Sequence, residues 1–419
     1  MKVRILLGLA IVTLNTSAAA DDIGTRPARN HERIFEAEPS ADPPSDPKPM
    51  DTLGVERETS QSFRGDQLIA EDPPGDWYAA HAGFRPHLDT FGGLLTFSLA
   101  HGRTERFYGV LSMSTVRNDA GTHVGAMQFA LGRNLSDEFI GVSQLSLAEN
   151  RARTFAGIGQ ITLGYNRAIE HYGVLQFSAY NHGDDLGVLT QIGGFNRATK
   201  RFAGGFMIGG WNDAADFYGI AQLGIVNAQG GLGDTFDRPE EGKAFRGLGQ
   251  IGALNAAGDF TSVFQLGAIG SGAHRFRGAL QIGGLLTWSE DFAGGAQIGT
   301  ANVSVEGAGA QLGAVNVSLE AHEGLQIGGA GNYADEMTGL QIGALANIAD
   351  EMTGAQLGLV NYAERVEGVQ IGLYNHANSL RGLQLGLVNH AQDGLLQWSA
   401  LLNMGFDDSG LYDGGLARR

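Results

Sequence analysis

The sequence has no cysteine, which excludes disulfides, thiol nucleophiles, thiolate metal sites and a lipidated cysteine anchor. Charge is scarce as well. Asp, Glu, Lys and Arg make up 17% of 419 residues, against the roughly one quarter usual in globular chains. The formal net charge is −17, which argues against a nucleic-acid partner because phosphate binding requires a basic face. No internal run is long and apolar enough for a membrane-spanning helix, which needs roughly 20 residues.

The first twenty residues hold a shorter apolar run. Lys2 and Arg4 precede Ile5 to Leu14, and Ala18, Ala19 and Ala20 stand before Asp21. That layout is a secretory signal peptide over residues 1–20. Its removal takes Lys2 and Arg4 away and shifts the net charge from −17 to −19 (−17 − 2). The chain is therefore expected to be exported, to the cell envelope or surface or the outer membrane of a Gram-negative-type bacterium. Residues 21–75, rich in Pro, Asp, Glu and Ser, read as a flexible leader. Residues 76–95 read as a transition or N-terminal cap.

What the chain has in excess is glycine, with 65 residues, and repetition. Gln recurs at 128, 144, 160, 176 and 191, and again at 326, 341, 356, 370 and 384. Five or six residues later comes Asn, as at 134, 150, 166, 332, 347, 361 and 375, and two beyond it usually Ala. Three further on stands an apolar residue such as Phe139, Phe155, Met337 or Met352. Self-similarity at fixed spacing marks a repeat architecture. The array covers residues 96–405, interrupted by a loop insertion at 230–243 and followed by a tail at 406–419.

In Gly368-Val-Gln-Ile-Gly-Leu373, Val369, Ile371 and Leu373 share one face, and Gly368, Gln370 and Gly372 the other. Period-two alternation is a strand. The Asn-x-Ala segment reads as the bend, since Asn tolerates left-handed backbone angles. Seventeen windows, from two residues before each Gln to four after it, contain no Asp, Glu, Lys, Arg or His. Both strand faces thus reject charge.

Two all-β architectures accommodate such strands. In a parallel β-solenoid each unit is one coil of 14–16 residues, about 20 coils in all. Identical residues then stack at about 4.8 Å, and amide ladders of Gln and Asn form along the axis. In an outer-membrane antiparallel barrel each unit is one strand, the apolar face meets lipid, and odd and even turns differ. No such difference is visible here. Moreover, Asn332-Tyr-Ala-Asp-Glu-Met-Thr-Gly-Leu-Gln-Ile-Gly343 is followed at once by the near copy Asn347–Gly358. Adding one coil lengthens a solenoid, whereas adding one strand reverses every later strand of a barrel. The solenoid is the expected fold and the barrel its alternative.

At Gln356–Ala363, Gln370–Ala377 and Gln384–Ala391 the chain resembles the tandem GLQIGLVN-type surface repeats of bacterial envelope proteins, over most of the array. These stretches also resemble the curlin repeat of curli fibre subunits, Gln-x-Gly-x-x-Asn-x-Ala. The curlin resemblance implies stacked β-arcs with amide ladders on Gln370, Asn375 and their equivalents. Curlin units are longer and end in a second Gln, where this chain has Thr353, Glu367 and Arg381. The surface-repeat resemblance implies location more than activity.

No catalytic, cofactor-binding or metal-ligating residue is nominated, and no cofactor is expected. Gly247–Gly252 matches G-x-G-x-x-G, but no helix signal follows it. His182, His376 and His390 each follow an Asn and read as solvated bend residues. Asp184-Asp185, Asp335-Glu336 and Asp350-Glu351 read as solubilising charges that protect an edge. A solenoid polysaccharide lyase is a remote alternative on fold analogy alone. The expected function is that of a non-enzymatic surface protein with a structural or adhesive role. It would present a flat Gly/Gln face and an acidic edge to an unknown protein, polysaccharide or envelope partner. Outer-membrane association and self-association are both open to such a chain.

Overall fold

The computed structural model describes residues 77–230 and 243–406. The expectations for the signal peptide, the leader, the body of the insertion and the tail beyond Phe406 lie outside the described residues.

The described chain winds as a parallel β-solenoid of about 18 turns. Strand Trp77–Gly83 pairs parallel with His87–Ser98, which pairs parallel with His101–Ser114. From there each coil lies on the last, with Gln128 opposite Gln144, Asn134 opposite Asn150, and Met337 opposite Met352. The ladder thus already takes in the stretch read as a transition or cap. Across the insertion the offset rises, with Gln222 opposite Gln250 and Phe217 opposite Phe245, so the columns on either side of it stay in register. Parallel pairing overturns the barrel alternative, whose neighbouring strands must run in opposite directions. Among the described residues only Trp398–Gly405 pairs antiparallel, folding back on Tyr374–Ala391 at the end of the stack.

Two local expectations are corrected. The Asn-x-Ala segment is extended strand, not bend, and Asn361, Ala363, Asn375 and Ala377 all point inward. The chain bends instead three and four residues after Gln, at Leu131-Gly132 and Leu147-Ala148 for example. In the last coils the glycine two residues before Gln takes a positive φ within the strand. Gly339, Gly354, Gly368 and Gly382 stack at φ between 129° and 144°, where a side chain is strained.

The second correction concerns which face is inside. The Gln, expected to form the outer surface, is buried along the parallel coils from Gln128 to Gln384: Gln144, Gln160, Gln341, Gln356 and Gln370 are 0% exposed, as are Asn150, Asn347 and Asn361. A buried primary amide is costly unless hydrogen-bonded, and stacking supplies the bond. Gln356 Nε2 donates to Gln341 Oε1 at 2.8 Å, and Gln370 to Gln356 likewise. The Asn column does the same, Asn361 Nδ2 donating to Asn375 Oδ1 at 2.8 Å and also to the Ile371 carbonyl at 2.8 Å. Both hydrogens of that amide are used, one along the axis and one across the coil.

Alanine and a column of large apolar side chains complete the interior. Phe202, Phe217, Phe245, Phe260, Phe276 and Phe292 stack with ring centroids 4.8–5.3 Å apart. Met337, Met352, Val366 and Leu380 continue the series in the last coils.

Candidate functional site

With the amides inside, the apolar half of each Gln strand faces outward. The residue after Gln forms an in-register column. Met113, Phe129, Leu145, Ile161 and Phe177 line up in the early coils, and Ile342, Leu357, Ile371 and Leu385 in the late ones. Ile161, Phe177, Ile251 and Ile371 in this column are exposed. A second exposed row lies two residues before Gln, through Val142, Ile158, Val174, Leu189 and Leu248, and begins at Val110, two before Ser112 in the Gln register. A third follows the bend, where a large exposed side chain sits either three residues after Gln (Leu131, Leu147, Leu163, Leu373) or four (Phe195, Ile269, Leu285, Leu345). Sixteen of the seventeen charge-free windows, those of Gln128 to Gln384, are therefore explained from both sides: amides fill the inner face and aliphatic residues the outer one.

Charge is confined to the other strand of the coil. There it forms ion pairs between stacked coils, such as Arg201–Asp185 at 2.9 Å, Arg275–Asp259 at 2.5 Å and Arg381–Glu367 at 3.0 Å; Arg365 pairs with Glu351 in the same way. At such exposure each pair contributes little stability, but alternating signs favour the in-register stack over repulsion between identical coils. Like charges also stack. Burial, then Asp335 and Glu364, raises the Asp350 carboxyl above the ordinary carboxylate range. The Tyr333 hydroxyl donates to Asp335 and is pushed up to about 12, chiefly by that bond.

The histidines take places that the sequence reading did not foresee. His390 is buried rather than solvated. It stacks on His376 at 4.7 Å, which in turn stacks on Tyr362 at 4.6 Å, and Trp398 lies against His390 at 4.2 Å. Burial, then the neighbouring His390, lowers the His376 pKa. His182 is lowered by burial and by Arg167 and Arg197. Deeper still, His123 lies between Phe107 and Phe139, with ring centroids 4.4 and 5.0 Å away, and His171 stacks on Phe155 at 4.5 Å. Their ring nitrogens have no hydrogen-bond partner, and burial depresses both pKa values to about 3.

The G-x-G-x-x-G match falls inside the ladder: Gly249–Thr261 is strand, and Gln250 donates to Gln222 at 2.8 Å. Among the described residues no group of three or more His, Asp or Glu is placed to hold a metal ion. No family model, curated protein or solved structure matches this chain.

The aliphatic face was missed because alternation defines two faces without saying which is inside. A signal for it was present. The Gln position is nearly constant, with Ser112 and Met207 the departures, whereas the position after it varies among Ile, Leu, Phe, Met and Trp. A ladder of stacked side-chain hydrogen bonds demands identity; an outward aliphatic row demands only bulk.

Proposed function

We propose that this chain is a non-enzymatic, exported cell-envelope or surface protein whose solenoid is a rigid scaffold and whose aliphatic face is its contact surface. The observation that carries the reading is the set of exposed apolar rows on the Gln strand and its bend with no charge among them, the row two residues before Gln giving way to glycine in the last coils. About 18 turns at about 4.8 Å per coil make a strip roughly 85 Å long. Soluble monomers rarely expose contiguous apolar patches beyond a few hundred Å². A surface of that extent is expected to be covered in the working state. The signal-peptide layout of residues 1–20 and the resemblance to GLQIGLVN-type surface repeats support the envelope location.

The test is expression with residues 1–20 intact in a Gram-negative host, followed by fractionation. The wild-type chain should appear in the envelope, shortened at its N-terminus. A triple variant Ile161→Lys, Ile251→Lys and Ile371→Lys, substituted only at exposed positions, should fold but wash free. An uncleaved cytoplasmic chain, or a triple variant retained as firmly as the wild type, would overturn the reading.

A further inference from the structure

The aliphatic face needs an occupant, and its own properties restrict the choice. Resting on the contact-surface reading above, we propose that this occupant is a second copy of the chain, packed face to face.

Area is the first argument. The strand outer face, about five residues wide at about 3.3 Å each, over a length of roughly 85 Å, gives on the order of 1,400 Å² per copy. Stable interfaces use about 800 Å² per partner, so self-pairing has area to spare.

Period is the second. The exposed rows repeat once per coil, so their bulk is spaced at about 4.8 Å along the axis. A second ladder with the same spacing can seat its side chains between them over the whole length, as in the dry interfaces of paired sheets. Small residues at the bend row, Gly194, Gly210, Ala253 and Ala268, leave room for them. A two-fold pair uses one patch on both copies and closes without leaving a sticky surface.

Charge is the third. After loss of residues 1–20 each copy carries −19 (−17 − 2), and copies repel unless they meet on a face that carries none. The aliphatic strip is such a face, while the ion-paired columns lie on the other strand. The same acidity disfavours an anionic lipid surface, which recruits Lys and Arg clusters.

The absence of cysteine makes the test clean. Ile251→Cys in the full exported chain places one thiol on the aliphatic face; Arg153→Cys places one among the charged columns. Under mild oxidation the first should give a covalent species of twice the chain mass and the second should not. Sedimentation of the wild type should show two copies. Ile251→Lys with Ile371→Lys should weaken association at least tenfold while leaving the β circular-dichroism spectrum unchanged.

A monomer at about 10 μM with no Ile251→Cys cross-link overturns the second copy, and so does equal cross-linking at both positions. Failure of this inference is separable from failure of the contact-surface reading. A monomer that still needs Ile161, Ile251 and Ile371 for envelope retention defeats the pairing alone. A pair that never reaches the envelope defeats the proposed location alone.

Discussion

Gln370 Nε2 donates to Gln356 Oε1 at 2.8 Å, so the Gln ladder is polarised toward the N-terminal end of the stack. The neighbouring Asn ladder runs the other way, Asn361 Nδ2 donating to Asn375 Oδ1 in the next coil. Aligned amide dipoles add, as they do along a helix. Two opposed ladders side by side largely cancel, which lets a long uncharged core carry stacked amides without a strong axial field.

Breaking one rung should therefore be costly out of proportion to its size. Gln370→Leu leaves Gln356 Oε1 without its donor and deprives Gln384 Nε2 of its acceptor, both in a fully buried column. Each lost partner costs about 1–3 kcal/mol, so a loss of roughly 2–6 kcal/mol is expected in urea unfolding. Gln370→Met should be milder. The ladder already tolerates Met207, whose Sδ accepts from Gln222 Nε2 at 3.6 Å. Equal stability of the Leu variant and the wild type would show that the amide ladder contributes nothing net.

Two of the buried histidines, His123 and His171, predict an acid sensitivity. Unfolded, each titrates near 6.5; folded, both are depressed to about 3. A depressed folded pKa means the unfolded chain binds more protons between these values. The stability associated with the neutral rings is complete above pH 6.5 and is lost as pH falls toward 3. Replacing both with phenylalanine, His123→Phe and His171→Phe, continues the stack set by Phe107, Phe139 and Phe155. The acid-unfolding midpoint, followed by circular dichroism from pH 7 to 2, should move to lower pH. An unmoved midpoint would assign acid unfolding to other groups.

The parallel stack was legible because stacking demands equal spacing, and Gln128, Gln144, Gln160 and Gln176 keep it. The buried histidines were legible by the same rule, since 107, 123, 139, 155 and 171 are evenly spaced, but the type of residue drew attention away from its register. The side of the wall was misread, although the near-constancy of the Gln position signalled it. Burying leucine and exposing glutamine is the usual preference for single residues. It is reversed here because a glutamine stacked on its own copies meets its hydrogen bonds inside. The bend was misplaced for a related reason. Asn has good turn propensity, yet at Asn361 its amide is committed to Asn375 and the Ile371 carbonyl, and extended backbone holds it there.

Close approach makes the glycine column a second point of fragility. A Cβ on Gly354 would lie 2.1 Å from the Gly339 carbonyl oxygen, in a backbone conformation of φ +129°. Gly354→Ala should cost more than 2 kcal/mol, from strain and from the displaced neighbouring coil together. Gly329→Ala is the control, because its Cβ would meet nothing closer than 3.7 Å; it should change stability by less than about 1 kcal/mol. Comparable losses at both positions would mean that glycine is required for general backbone freedom rather than for this contact.

The near-copied units give the sharpest test of the architecture. Gly331 lies opposite Ala346, and Asn332 opposite Asn347, with Ala334, Glu336, Met337, Thr338, Gly339 and Gln341 each facing the same residue type in the next coil. Deleting residues 332–346 joins Gly331 to Asn347 and places each following side chain where its equivalent stood. Gln356 then inherits the rung of Gln341 beneath Gln326. In a linear array stability is a sum of coil and neighbour terms, so the shortened chain should fold with a thermal midpoint within a few degrees of the parent. Deleting seven residues, 340–346, instead sets the Gln and Asn columns out of register and should abolish folding of the C-terminal coils. Hydrogen exchange across residues 347–391 distinguishes the outcomes: protection kept in the fifteen-residue deletion and lost in the seven-residue one. Loss in both would mean that these coils are not interchangeable units, despite their matching ladders.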